Sequence, residues 1–304
     1  MILTTAGRRA AVPAPLGPMT PTTVSPGPGR TSYWLSAGLA VTSMTAGVAT
    51  FVSTDSIAGP AVSVGTARGT ALVVAAVAVP MLLAAMGWSS RGSLRAIIVW
   101  LGTAAYLLYN AVMLLFGTPY NRFFLAYVAM FAFALWSIVA VLVQSDVAGL
   151  ARHLVGRLPA HGIAVYAWTG AGLNALVWLR TVIPTITAEY PGSFLVGSGF
   201  STHPVYIQDL AVWIPLAVVA AAWLWRGLPW GYLVLSSLLV LWVIEALGIA
   251  TDQWFGSQAD RSTDFASASM TPAFLAWAVV GLIPLYLALR PLHRAAHVPT
   301  EGTS

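Results

Sequence analysis

Eight runs of about twenty apolar residues, at 33–53, 70–88, 96–116, 123–144, 163–186, 205–226, 230–250 and 271–290, constrain this chain more than any motif in it. A hydrocarbon layer offers no water to backbone N–H and C=O groups, so a segment that crosses it must close its own hydrogen bonds. About twenty helical residues span the roughly 30 Å of a bilayer core. The runs therefore predict an all-α polytopic transmembrane helix bundle of about eight spans, occupying 33–290. Composition agrees, with 58% hydrophobic and 8% charged residues against about 25% charged in soluble domains. Thirteen Trp residues suit a protein with long membrane interfaces. The six prolines within residues 1–32 predict a disordered Pro-rich tail, and 291–304 read as a second, cytoplasmic tail. A cleaved signal peptide is not expected, because the first apolar run is long enough to span.

Charge orients the bundle. All 14 basic side chains are Arg. On this span assignment ten of them (Arg8, Arg9, Arg30, Arg91, Arg95, Arg152, Arg157, Arg226, Arg290, Arg294) fall on one side and four (Arg68, Arg122, Arg180, Arg261) on the other. Basic residues favour the cytoplasmic side, so both termini are expected there, in a plasma-membrane protein. The basic excess thus reads as membrane orientation, and no nucleic-acid partner is expected. Asp55, Glu189, Asp252, Asp260 and Asp264 fall in outer loops on this assignment. GTPYNRF joins spans three and four by a tight outer turn, and the tight inner turn GLP predicts antiparallel neighbours for spans six and seven.

Several chemistries are excluded. With no Cys there is no disulfide, thiolate metal site, Fe–S cluster or CxxC couple. With no Lys there is no Schiff-base or Lys nucleophile. No H-E-x-x-H or P-loop occurs, and GSGF at Gly197 lacks the third Gly of a dinucleotide site. The five histidines (His153, His161, His203, His293, His297) lie at loops or ends, which removes bis-His haem ligation and an intramembrane Ser–His pair. His293 and His297 are spaced i, i+4 but read as solvated tail residues. No metal site is expected, and no cofactor is implied.

The polar residues inside the spans carry the functional signal. On these boundaries Asp209 lies roughly 6 Å below the outer end of span six, and Glu245 roughly 8 Å below that of span seven. Arg180 and Asn110 each lie about 9 Å from the outer ends of spans five and three, and Arg122 opens span four on the same side. Asn174 sits near the midplane. Ionisable groups at such depth face a bundle interior or wet cavity and find partners there. The expectation is an outward-facing polar cavity lined by Asp209, Glu245, Arg180, Arg122, Asn110, Tyr206 and Tyr109, with Arg180 as the partner of Asp209 and Arg122 as the next candidate. Snorkelling is the alternative for both arginines.

Helix faces add detail. Tyr106, Tyr109, Asn110 and Met113 share one face, Tyr206, Asp209 and Trp213 another, and Asn174, Trp178 and Thr181 a third. Arg180 points away from Asn174. Leu241, Glu245, Gly248 and Asp252 align on span seven, where Gly248 permits close approach. Aromatic rings beside a carboxylate suit a small organic or cationic ligand and are also ordinary core. YNAVMLL in span three and LNALVWL in span five form a short internal echo.

Two stretches, GTPYNRFFLAYVAMFAFALWSIVAVL and HPVYIQDLAVWIPLAVVAAAWLWRGLPWGYLVL, resemble a family of uncharacterised multi-pass membrane proteins of high-GC bacteria such as actinobacteria. The likeness covers spans three to seven. Its most specific piece is an aromatic residue, then Asp-Leu, then Pro, here Tyr206, Asp209, Leu210 and Pro215. It implies the topology and draws attention to Asp209, and it implies no mechanism. Three functions fit the sequence: a transporter or ligand-binding membrane protein, an intramembrane enzyme acting on a lipid-linked or envelope substrate, and a non-catalytic subunit of a membrane complex. The lipid bilayer is the expected partner, with a small molecule or lipid as ligand; the oligomeric state is open.

Overall fold

The computed structural model describes residues 28–53, 57, 59–187, 193–262 and 265–292. The expected tails at 1–32 and 291–304 lie outside these, except for 28–32 and 291–292, of which 30–32 and 291–292 belong to the ends of the first and last spans. Eight helices are long and apolar enough to cross a membrane: Arg30–Val52, Ala61–Ser89, Leu94–Phe116, Phe124–Gln144, Ala160–Thr185, Pro204–Trp225, Pro229–Ala259 and Ala268–Leu292. They are spans one to eight below. A short helix, Val147–Leu154, lies between spans four and five and is capped by Asp146, whose Oδ1 accepts from the Gly149 N–H at 2.8 Å. No strand occurs among the described residues. The described chain is all-α, with the eight long apolar helices of an integral membrane protein.

Two spans are longer than the apolar runs predicted. Span two begins at Ala61 and span seven runs on to Ala259. These extensions pack on each other, in the most extensive seam of the bundle. Glycine makes the seam possible. A Cβ at Gly65 would lie 2.6 Å from the Phe255 carbonyl, and one at Gly69 would collide with the Thr251 carbonyl and the Asp252 backbone. Gly65 and Gly69 form a G-x-x-x-G pair, the spacing that lets two helix backbones meet. Thr251 Oγ1 donates to the Gly69 carbonyl at 3.0 Å across the seam. Arg68 secures the same end by donating from Nε to the Phe51 carbonyl of span one at 3.0 Å.

Spans three and seven form the centre, each with 67% of its apolar window buried. Trp100, Tyr106 and Leu107 of span three are completely enclosed. Trp100 Nε1 donates to Ser36 Oγ at 2.8 Å, and Ser36 Oγ lies 2.6 Å from Ser137 Oγ, tying spans one, three and four. Spans six and seven are joined at the tight turn read from GLP. Gly227 has φ +72° there, and the Leu228 N–H returns to the Trp223 carbonyl at 2.9 Å. Spans five and eight are peripheral, with 22% and 17% buried. Span five packs on span six and span eight on span seven, but no extended seam joins five to eight.

Two wide turns interrupt the regular helices, at Val74–Ala78 in span two and Asp209–Trp213 in span six. Each precedes a proline, Pro80 or Pro215. Proline has no N–H, and its ring presses on the carbonyl four residues back. The residue just before it bonds five residues back instead: Val79 N–H to the Val74 carbonyl, and Ile214 N–H to that of Asp209. Such a turn holds one extra residue and rotates what precedes it by about 100°. Val74, Asp209 and Trp213 all line the cavity described next.

Candidate functional site

A cavity of about 1310 Å³ opens within the half of the bundle that bears the segments after spans five and seven. Spans one, two, three, five, six, seven and eight all contribute to its wall. Asp209, Glu245, Asn110, Tyr206 and Tyr109, named from sequence, all line it. So does Asp252, which the sequence reading left in an outer loop; the lengthened span seven carries it into the wall, two turns beyond Glu245.

Asp209 is buried, and its carboxylate is held by neutral donors. Trp178 Nε1 donates to Oδ2 at 2.8 Å and Asn174 Nδ2 to the same oxygen at 3.2 Å. The Tyr109 hydroxyl reaches the carboxylate as well. The expected ion pair with Arg180 is not formed. Arg180 is exposed on span five and does not line the cavity. It lies two residues, or about 200°, round the helix from Trp178, so when Trp178 faces Asp209 the arginine faces outward. Arg122 is likewise exposed and outside the wall, with its guanidinium 5.1 Å from the Phe123 ring centre. Both arginines are corrected from site residues to surface residues, in keeping with the snorkelling alternative. The ion pair among the described residues is Arg152–Asp146 at 3.6 Å, at the opposite face.

Glu245 and Asp252 are half-buried. Glu245 has no hydrogen-bond or ion-pair partner among the described residues. Asp252 Oδ1 accepts from Gln253 Nε2 at 3.3 Å. Asn110 donates to the Tyr106 carbonyl of its own helix at 3.0 Å. Gln208, buried beside Asp209, donates to the Tyr109 carbonyl at 3.4 Å and accepts from Trp213 Nε1 at 3.1 Å, bracing span six on span three. Among the described residues no three His, Asp or Glu side chains are grouped closely enough to hold a metal ion. The three carboxylates are carried by spans six and seven.

Aromatic rings cover much of the remaining wall. Tyr206 is sandwiched by Trp178 at 4.3 Å and His203 at 3.9 Å, the latter nearly parallel. Phe194 stands 5.2 Å from Tyr206, and Phe200 meets His203 edge-on at 5.8 Å. Burial among these rings pulls the His203 imidazole down from 6.5 to about 4, so it is neutral at physiological pH. Residues 194–200 cross the loop end of the cavity. Ser63 Oγ of span two donates to the Ser198 carbonyl at 2.6 Å, and Gly199 takes φ +73° against Pro60.

Sequence reasoning missed Trp178 and Asn174 as the partners of Asp209, although it placed both on one face. It also missed Gln208, His203 and Asp252. The i, i+4, i+11 alignment of Leu241, Glu245 and Asp252 was the signal for the last. No protein family, curated protein or solved structure matches this chain.

Proposed function

We propose that this is a ligand-binding protein of the plasma membrane whose cavity faces outward and takes an organic cation. One observation carries the proposal: Asp209, Glu245 and Asp252 line one cavity, and among the described residues no Arg side chain lines it with them. Negative charge in a low-dielectric site is costly without a counter-charge, and a cationic ligand supplies one. The rings of Trp178, Tyr206, Tyr109 and Trp213 add faces that attract ammonium groups. The volume exceeds the usual range of ligand cavities by about a third and so has room for an organic molecule. Outward orientation rests on the ten-to-four distribution of arginines. The resemblance around Tyr206, Asp209, Leu210 and Pro215 is kept as part of the same proposal, since it singles out the same carboxylate.

The test compares two ions of one shape and opposite charge, tetraphenylphosphonium and tetraphenylborate. Each is titrated against the purified protein in nanodiscs of zwitterionic lipid, with tryptophan fluorescence as the readout. Saturable binding of the cation is expected, weakened at least tenfold in Asp209→Asn/Glu245→Gln. Equal or stronger binding of the borate overturns the proposal.

A second reading has one observation in its favour. The cavity belongs to a single face, as a site for acid–base work on an envelope or lipid-linked substrate would, whereas transport needs the floor at Tyr166, Leu241 and Trp242 to open. Turnover of a bound lipid without movement across the membrane would support it.

A further inference from the structure

The cavity has a floor and a roof, but one side lacks a packed wall. Spans five and eight both line it, through Gly170, Leu173 and Val177 on one and Met270, Phe274 and Trp277 on the other. No extended seam joins these two helices. Leu173 is 50% exposed, Val177 53%, Met270 44% and Trp277 44%. Two helices that both line a cavity without packing along each other leave an opening between them. All four are apolar, and the surface around them is that of a membrane span, so the opening faces hydrocarbon. Toward the other half of the bundle it narrows, where the Tyr166 hydroxyl would be 3.7 Å from a Cβ placed on Gly281. The roof is fastened at Ser63–Ser198 and Gly199–Pro60, on the far side from this opening.

We infer that the gap between spans five and eight is a lateral portal for a single-chain amphiphile with a cationic head group. The head lies among Asp209, Glu245 and Asp252, and the alkyl chain leaves past Leu173, Val177 and Trp277 into the bilayer. This rests on the cation-binding proposal and adds the ligand's chemical class and its route. Charge complementarity fixes the occupant. An acyl chain alone would leave three acids unanswered, and an anionic lipid would add to them. A small soluble cation would need no apolar portal and would have to pass the roof.

Gly170 allows a direct test, because a Cβ there meets nothing within 4 Å. Gly170→Leu therefore obstructs the gap without pushing on backbone, and leucine is the better helix former. Dodecyltrimethylammonium carrying a diazirine at its chain end is bound to the protein in nanodiscs below its micellar concentration and photolysed. Tetramethylammonium serves as the head-group probe, and the corresponding dodecyl sulfate as the anionic control. Label is expected on residues 170–177 and 270–277 of wild type. Gly170→Leu is expected to weaken the long-chain cation at least tenfold more than it weakens tetramethylammonium. Label scattered over the lipid-facing surface, or equal weakening of both cations, overturns the portal. Label in the gap from the sulfate and the ammonium alike would keep the portal and refute the cationic head group. Tetraphenylphosphonium binding without label in the gap would keep the acidic site and refute the portal.

Discussion

Two helix pairs border the same cavity and are built in opposite ways. Spans two and seven meet backbone to backbone over glycines; spans five and eight stand apart, with larger apolar side chains bordering the space. Both pairs are made of apolar helices, so hydrophobicity does not distinguish them. In a bilayer the solvent is itself apolar, and helices associate through close packing and interhelical hydrogen bonds. Where side chains shrink to Gly65, Gly69 and Gly256, the helices close and Thr251 can bond across to Gly69. Where Leu173, Val177 and Trp277 stand, lipid competes on equal terms and the pair stays apart.

The largest effect expected from this contrast is at Gly69. A side chain there collides with backbone of Thr251 and Asp252, which cannot move aside cheaply. Gly69→Leu is expected to destabilise by about 3 kcal/mol or more, as the severe end of overpacking does. Gly170→Leu, on the gap-lining face of span five with nothing within 4 Å of its Cβ, is expected to be neutral or slightly stabilising. Thermal unfolding in detergent, followed by gel filtration, measures both. Similar losses at the two positions would erase the distinction between seam and gap.

The sequence revealed one side of this contrast better than the other. Apolar run length is dictated by bilayer thickness, so the eight spans were legible. Their ends were not, because Ala61–Gly69 and Thr251–Ala259 mix Gly, Ser and Thr with apolar residues and read as loop. Tertiary packing of the glycines makes them helix. Asp252 was misplaced for that reason alone. Depth was readable for Asp209 and Glu245, but partner identity was not. A lone chain shows that a carboxylate needs donors, and an arginine nearby in depth is the obvious supplier. It does not show that an indole and an amide on the inward face of the same helix supply the bonds. The wide turns were hinted at by Pro80 and Pro215, yet the direction in which Asp209 then faces depends on the extra residue in the turn.

Between the seam and the gap lies the roof, and His203 makes its stability depend on pH. The imidazole is neutral in the folded protein because burial holds it at about 4, against 6.5 when exposed. Above 6.5 neither folded nor unfolded protein is protonated there, and no penalty exists. As pH falls from 6.5 toward 4 the unfolded state gains a proton that the folded state refuses, so stability is lost across that window and the loss levels off below it. The full difference is at most about 3 kcal/mol, reduced where solvent reaches the ring. Unfolding of wild type and His203→Phe is compared at pH 7 and pH 4.5. The variant should lose less on acidification. An identical pH response in the two proteins would remove His203 as the cause.

The smallest effects separate the two faces of span five. Trp178 faces the cavity and gives Asp209 its shortest hydrogen bond, at 2.8 Å. Trp178→Phe keeps a ring against Tyr206 and removes only the donor. Asn174 and Tyr109 remain, so the expected cost is about 1–2 kcal/mol. Arg180, two residues on, faces outward, and Arg180→Gln is expected to change stability by less than about 0.5 kcal/mol. Double variants with Asp209→Asn sharpen the comparison. Once the carboxylate is gone the lost indole bond matters less, so Asp209→Asn and Trp178→Phe should combine to less than the sum of their separate costs. Asp209→Asn and Arg180→Gln should simply add, as unconnected positions do. Coupling of Asp209 to Arg180 rather than to Trp178 would restore the arginine as its counter-charge, and the acidic cavity would then have no need of a cation from outside.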